Sequence, residues 1–291
     1  MTRITERGLV LFCWIFGLLP LLILSTVIVY LLIRGGSALG LELIFGKVPV
    51  LESLLGHRQV FDGLLPALAG TGLLVILALL LAIVPGICGG IYLAEYSSPG
   101  ERRMLGLLFD IIAGLPSIVI GLAGFAVTIL IHRLYPGRFG PCLLLSAMAL
   151  AFLIVPYLVR STEASLRAIP PGLRLTGPAL GASKLQNIVF VLLPARLNDL
   201  IGGIILAIGR AAEDTAVIML TGAVASAGMV RSVLEQYEAL PFYIYYISSQ
   251  YSDAAELQRG FGAAILLFTL CGLLFLLAFL LEQGISRRLK R

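Results

Sequence analysis

The sequence predicts an all-α integral membrane protein with six transmembrane helices, and three observations carry that prediction. Hydrophobic residues make up 59 % of the 291 and charged residues only 13 %, with a mean hydropathy of +1.02. A soluble domain carries about 25 % charged residues, so this chain cannot cover a water-facing surface and uses lipid as part of its solvent. Six apolar runs each reach about 20 residues, enough to cross roughly 30 Å of hydrocarbon at about 1.5 Å per residue. The cations flank those runs, as a membrane span requires. Short strands of alternating polarity, the mark of a membrane barrel, are not visible.

The runs cover 9–33, 64–94, 106–131, 140–160, 198–225 and 260–283. The first follows Arg3 and Arg7, as a signal peptide would, but it is long and Arg34-Gly35-Gly36 follows with no small-residue cleavage pattern. An uncleaved first span is expected. The second run holds Pro66, Gly70, Gly72, Pro85, Gly86, Gly89 and Gly90, the third Gly114, Pro116, Gly121 and Gly124, and the fifth Gly202, Gly203 and Gly209. Small residues let helix backbones approach closely, and proline breaks are tolerated where neighbours or a cavity satisfy the freed groups. A packed, path-lining bundle is therefore expected. Residues 1–63 form the first helix and an outer segment, 64–283 the core, and 284–291 a basic tail.

With the N-terminus inside, inner segments hold thirteen Lys and Arg residues. Outer segments hold seven: Arg34, Lys47, Arg58, Arg133, Arg138, Arg231 and Arg259. This bias places both termini in the cytoplasm. No internal repeat or matched pair of broken spans suggests an inverted-repeat transporter.

Several function classes fall away. The net charge is +5, yet no Lys/Arg run exceeds two and no basic patch is interleaved with aromatics, so nucleic acid is not the partner. There is no G-x-x-x-x-G-K-[ST] phosphate cradle. His57 and His132 stand far apart in outer loops, and no catalytic cluster forms around either. Cys13, Cys88, Cys142 and Cys271 lie in apolar runs without metal spacing and are expected as small buried hydrophobes. No catalytic residue, metal or cofactor is expected of this chain, and ATP-powered transport would need a separate engine.

Two loops are long. The inner one, 161–197, is basic and Pro-rich. The outer one, 226–259, carries Tyr237, Tyr243, Tyr245, Tyr246 and Tyr251. These fit an interfacial belt and a docking surface for an external partner equally well. The fifth run contains Arg210, Glu213 and Asp214. Ionisable groups at membrane depth cost about 3 kcal/mol or more each, so they should face the bundle interior or water. Arg210 and Asp214 lie four apart on one helix face and can pair, while Glu213, three away, competes. A guanidinium fork is suited to an oxyanion.

The inner loop reads Glu163-Ala164-Ser165-Leu166-Arg167, then Ala179-Leu180-Gly181-Ala182-Ser183-Lys184, and closes with Val191-Leu192-Leu193-Pro194. It resembles the EAA loop of ABC importer permeases, where a glycine is followed ten residues later by I-x-L-P. The leading Glu-Ala-Ala of that pattern falls on Leu175-Thr176-Gly177. Three further stretches are similar to the A-type permease family of phosphate importers: Leu64-Leu65-Pro66-Ala67, Ile91-Tyr92-Leu93-Ala94-Glu95-Tyr96 and Gly114-Leu115-Pro116-Ser117-Ile118-Val119-Ile120-Gly121-Leu122. So is Leu240-Pro241-Phe242-Tyr243 in the outer loop.

The resemblance implies a type I ABC importer permease, one half of a phosphate channel in the bacterial inner membrane. A homologous C-type permease would supply the other half, and an extracytoplasmic phosphate-binding protein would deliver cargo. A dimer of ATP-binding subunits, carrying ATP and Mg, would dock on Leu175, Thr176, Ala179, Leu180, Gly181, Ala182, Ser183 and Lys184. The family pattern G-R-A-x-G-E-T-A places Arg210 on the anion path, Asp214 on its Glu and Glu213 on its usual Gly. Arg160 falls on a second path arginine, although its position also suits a snorkelling cation. The extra carboxylate at Glu213 keeps molybdate or sulfate open as cargo. A secondary transporter or channel acting alone is the reading from another class.

Overall fold

The computed structural model describes residues 3–46, 63–134 and 140–289. His57 and the outer cations Lys47, Arg58 and Arg138 lie outside the described residues, as do Lys290 and Arg291 of the tail. The principal helices are α1 (Arg3–Gly35), α2 (Leu65–Ile91), α3 (Pro99–Gly114), α4 (Ser117–Leu134) and α5 (Leu143–Arg167). They continue with α6 (Leu197–Glu213), α7 (Ala216–Thr221), α8 (Leu240–Gln250) and α9 (Ala254–Leu289). Among the described residues, five helices are long and apolar enough to cross a membrane. A sixth span is reached when Lys184–Ala195 and Leu197–Glu213, bent by 73°, count as one.

The centre of the bundle is the α2–α5 pair, joined by α6. Gly86 and Gly90 lie one turn apart on α2, and side chains there would collide with Leu158 and Thr162 of α5. Gly203 of α6 is closed off in the same way by Ser161. Their small size is what brings three backbones together, since lipid supplies no hydrophobic drive between helices. Val75, Ala82, Ile154, Leu158, Ala207 and Ala211 fill the seam. Helix α1 packs on α9, where Gly35 rests against the Phe261 backbone and the Tyr30 ring meets Phe261 edge-on at 5.8 Å.

Two of the expected spans are interrupted. The 106–131 run divides at Leu115, which is extended between α3 and α4. Pro116 has no N–H to continue the ladder and restricts the residue before it, so the helix ends there. Helix α3 starts earlier than the run, at a capping box in which Ser98 and Glu101 satisfy each other's backbone N–H groups. The 198–225 run also breaks: α6 ends at Glu213, Asp214 is extended, and α7 starts two residues later. Tight helix packing continues past the break, with Gly121 of α4 against the backbone of Ala216 and Val217.

The outer connection 222–239 folds back over the bundle. Leu143 and Leu144 donate to the Glu235 and Val233 carbonyls at 3.0 and 2.8 Å, and Val224 donates to Tyr237 at 2.9 Å. Tyr237 is fully buried among Leu74, Leu143 and Val217, so it is a core residue and not part of a belt or docking surface. Tyr245, Tyr246 and Tyr251 are exposed. The cysteine expectation holds for Cys142 alone in full: Cys271 is half-buried, while Cys13 and Cys88 are exposed. On a membrane helix the outward face is itself apolar, so a small hydrophobe has no need of the interior.

Glu238 is buried beneath the same connection, where its Oε1 accepts the backbone N–H groups of Ala227 (2.8 Å) and Gly228 (2.7 Å). Burial raises its carboxyl above the usual range, and those two N–H bonds offset part of the rise. A raised folded-state value means the native state holds the proton more tightly than the unfolded chain. The contribution to stability is therefore complete in acid and is lost as pH climbs through the raised value. Glu238→Gln keeps the acceptor and removes the charge, so thermal unfolding in detergent at neutral pH should show no loss and a gain is expected. Glu238→Ala strands both N–H groups and should cost about 2 kcal/mol.

Candidate functional site

Two arginine centres and one cytoplasmic loop make up the candidate site. Arg210 lies in the last turn of α6. Its Nη1 donates to Glu213 Oε1 at 3.1 Å and to Asp214 Oδ2 at 3.2 Å. The carboxylates differ in setting: the Asp214 side chain is 2 % exposed and the Glu213 side chain 67 %. Asp214 has a second task, since its Oδ1 accepts the Val217 N–H at 2.9 Å and so caps the start of α7. One carboxylate thus balances the cation and satisfies a donor freed by the broken span. Arg210, Glu213 and Tyr157 line a crevice of about 440 Å³ with Gly202, Gly209 and Phe275. A partly exposed guanidinium at an open crevice, paired with an exposed carboxylate, has donors that an anion exchanging with Glu213 could engage.

Arg160 lies toward the inner end of α5. Its Nε donates to Asp110 Oδ1 of α3 at 2.8 Å, Nη2 closes the fork on Asp110 Oδ2, and Nη1 donates to Glu163 Oε2 at 2.8 Å. The side chain is held across two helices and does not extend freely toward an interface. Gly106 makes room for it, because a Cβ there would come within 2.8 Å of the guanidinium. Arg160, Asp110, Glu163, Arg102, Arg103 and Arg167 line a second crevice of about 580 Å³. Asp110 was not among the residues expected from sequence; a lone carboxylate inside an apolar run was its signal. The structure does not bring Arg160 into contact with Arg210, which lines a separate crevice.

The 173–187 segment holds two short helical turns and the start of the longer Lys184–Ala195 helix. Pro171–Arg174 and Thr176–Ala179 come first, then Lys184–Asn187 starts at a second capping box formed by Ser183 and Gln186. Gly177 and Pro178 are poor at propagating a helix, and Gly181 turns the chain with φ of +80°. Leu175, Leu180 and Leu185 project outward from this segment, Leu180 with 88 % of its surface exposed. An exposed apolar row on a basic inner loop is suited to lie in a groove on another protein. Among the described residues, no group of three or more His, Cys, Asp or Glu side chains could hold a metal ion.

Comparisons with known proteins give the family and the fold. Residues 86–291 match the family model of the binding-protein-dependent transport system inner membrane component. The phosphate transport system permease protein PstA of Yersinia pestis is 35 % identical over 73 % of this chain and 69 % of its own length. PstA of Haemophilus influenzae is 30 % identical over 91 % of this chain and 85 % of its own. A bacterial ABC transporter involved in the import of the acidic polysaccharide alginate has a similar fold, with a TM-score of 0.58 at 17 % identity over the full length of both chains. The inward-facing MetNI methionine ABC transporter has a TM-score of 0.54 at 19 % identity, over 78 % of this chain and 96 % of that one. This chain therefore belongs to the family of binding-protein-dependent transport system inner membrane components, as a multi-pass permease with the type I ABC importer fold.

Proposed function

We propose that this chain forms one half of an importer channel for inorganic phosphate, with Arg210 as the cation that receives the anion. The observation that carries this reading is a guanidinium in the last turn of α6, beside an open crevice and balanced by one buried and one exposed carboxylate. A homologous C-type permease completes the channel, and an extracytoplasmic phosphate-binding protein delivers cargo to the outer face. A dimer of ATP-binding subunits, holding ATP and Mg, docks on the 173–187 segment and drives the change of access. Arg160 is the second cation on the inner half of the path, reached once Asp110 yields its fork. The PstA relatives support phosphate as cargo.

Glu213 supports a second reading, since a carboxylate beside Arg210 alters the field an anion meets and would suit molybdate or sulfate. Uptake by the complex assembled in vesicles decides between them. Labelled phosphate should accumulate with ATP, and an excess of molybdate or sulfate should not compete. Accumulation of either of those anions without phosphate would remove the first reading.

A further inference from the structure

The inner end of α2 does not stop as an ordinary helix. Residues Tyr92–Tyr96 form a π-helical turn, and the widened turn leaves carbonyls for other partners. Arg102 of α3 donates from Nε to the Leu93 carbonyl within the turn at 2.8 Å and from Nη2 to the Ser97 carbonyl just beyond it at 3.3 Å. Within this turn Glu95 is largely buried and accepts Arg174 Nη1 at 2.6 Å, across 79 residues of sequence. Every nitrogen of that guanidinium is engaged: Nη2 donates to the Leu166 carbonyl at 2.5 Å and Nε to the Ile169 carbonyl at 3.4 Å. Arg174 thus joins the end of α2, the end of α5 and the 173–187 segment.

Two further contacts hold the segment in place. Asn187 Nδ2 donates to the Arg174 carbonyl at 3.0 Å, and Lys184 Nζ sits 4.4 Å above the Tyr96 ring. A charge-assisted bond to a largely buried carboxylate, as between Arg174 and Glu95, is a stiff connection in a protein.

We propose that Glu95 and Arg174 are a positioning pair that makes the docking segment and the inner ends of α2 and α5 move as one body. The inference rests on the reading of 173–187 as the ATPase docking element. It assigns the stroke a route: from the loop through one guanidinium into two spans, and not along the chain through Leu166–Pro170 alone. Glu95 and Arg174 touch no cargo, so their loss should change how much transport each ATP yields and leave cargo recognition intact.

The test uses the whole complex in vesicles, with ATP hydrolysis and labelled phosphate uptake measured together. Glu95→Ala should leave ATP hydrolysis within about twofold and lower the phosphate moved per ATP by about tenfold, with the KM for phosphate unchanged. Glu95→Gln, which keeps an acceptor for Arg174, should restore most of the yield. An unaltered yield in Glu95→Ala overturns the proposal. If that variant does not assemble, a second measurement decides. In a background with the four native cysteines changed to alanine, Tyr96→Cys and Lys184→Cys are joined by a short bifunctional thiol reagent. Joined parts of one body should still transport, and loss of uptake on joining overturns the proposal. A Leu180→Cys cross-link to the ATP-binding subunit reports on the docking reading separately, and its absence would remove that reading whatever the Glu95 variants do.

Discussion

Arg210→Ala is expected to lower anion uptake by about a hundredfold, since losing a charged hydrogen-bond partner costs about 3 kcal/mol. The obvious complication is Asp214, which this change leaves buried, without its cation and still accepting the Val217 N–H. An unpaired buried carboxylate destabilises strongly, so weak expression of the single variant would be ambiguous. The pair Arg210→Ala with Asp214→Asn resolves it: Asn still accepts from Val217 and carries no charge to strand. That double variant should assemble with its partners, run at the same size in detergent, and fail to accumulate phosphate. Near-normal uptake by the double variant would exclude Arg210 from the path. Arg210→Lys should fall between, because an ammonium keeps the charge and lacks the two-pronged fit to an oxyanion.

Gly181→Leu should weaken the coupling of the complex to its ATP-binding subunits. A Cβ added there would meet open space, with no atom within 4 Å, so crowding is not the objection. The objection is the backbone: φ is +80°, and a bulky L-residue in left-handed geometry costs about 1–2 kcal/mol. The turn between Thr176–Ala179 and Lys184–Asn187 should open, and Leu180 should lose its projecting position. Substrate-stimulated ATP hydrolysis by the assembled complex should fall by about fivefold. Gly181→Asn tests the cause, because asparagine tolerates left-handed geometry. Its ATP hydrolysis should stay close to that of the unaltered protein. Equal damage from Asn and Leu would mean that the small side chain, and not the turn, is what docking requires.

Sequence made the membrane class plain because hydropathy is a sum over many residues and survives local error. The same averaging concealed the breaks. Leu115 is as apolar as its neighbours, so 106–131 reads as continuous although Gly114 and Pro116 flank the interruption. At the second break the signal was present in another form: an aspartate just before the apolar stretch Ala216–Leu220 is a helix-start residue, and Asp214 does accept the Val217 N–H. The Arg210–Asp214 pairing was legible because helix geometry fixes neighbours four apart. Asp110 with Arg160 and Glu95 with Arg174 were not legible, since 50 and 79 residues separate the partners. Glu238 gave no signal in the sequence, since only the fold places the Ala227 and Gly228 N–H groups against it.

The gap at Asp214 also governs which parts can tilt independently. A continuous rod across the membrane would swing at its periplasmic end whenever its cytosolic end was pushed. Here the extended residue Asp214 interrupts the rod, between a seventeen-residue shaft and a six-residue tip. The shaft is seated with α2, α5 and α9, while the tip rests on α4 and on the first turn of α5, where Thr221 Oγ1 donates to Ser146 Oγ at 2.8 Å. The break therefore lets the shaft tilt without carrying the tip off its seat on α4.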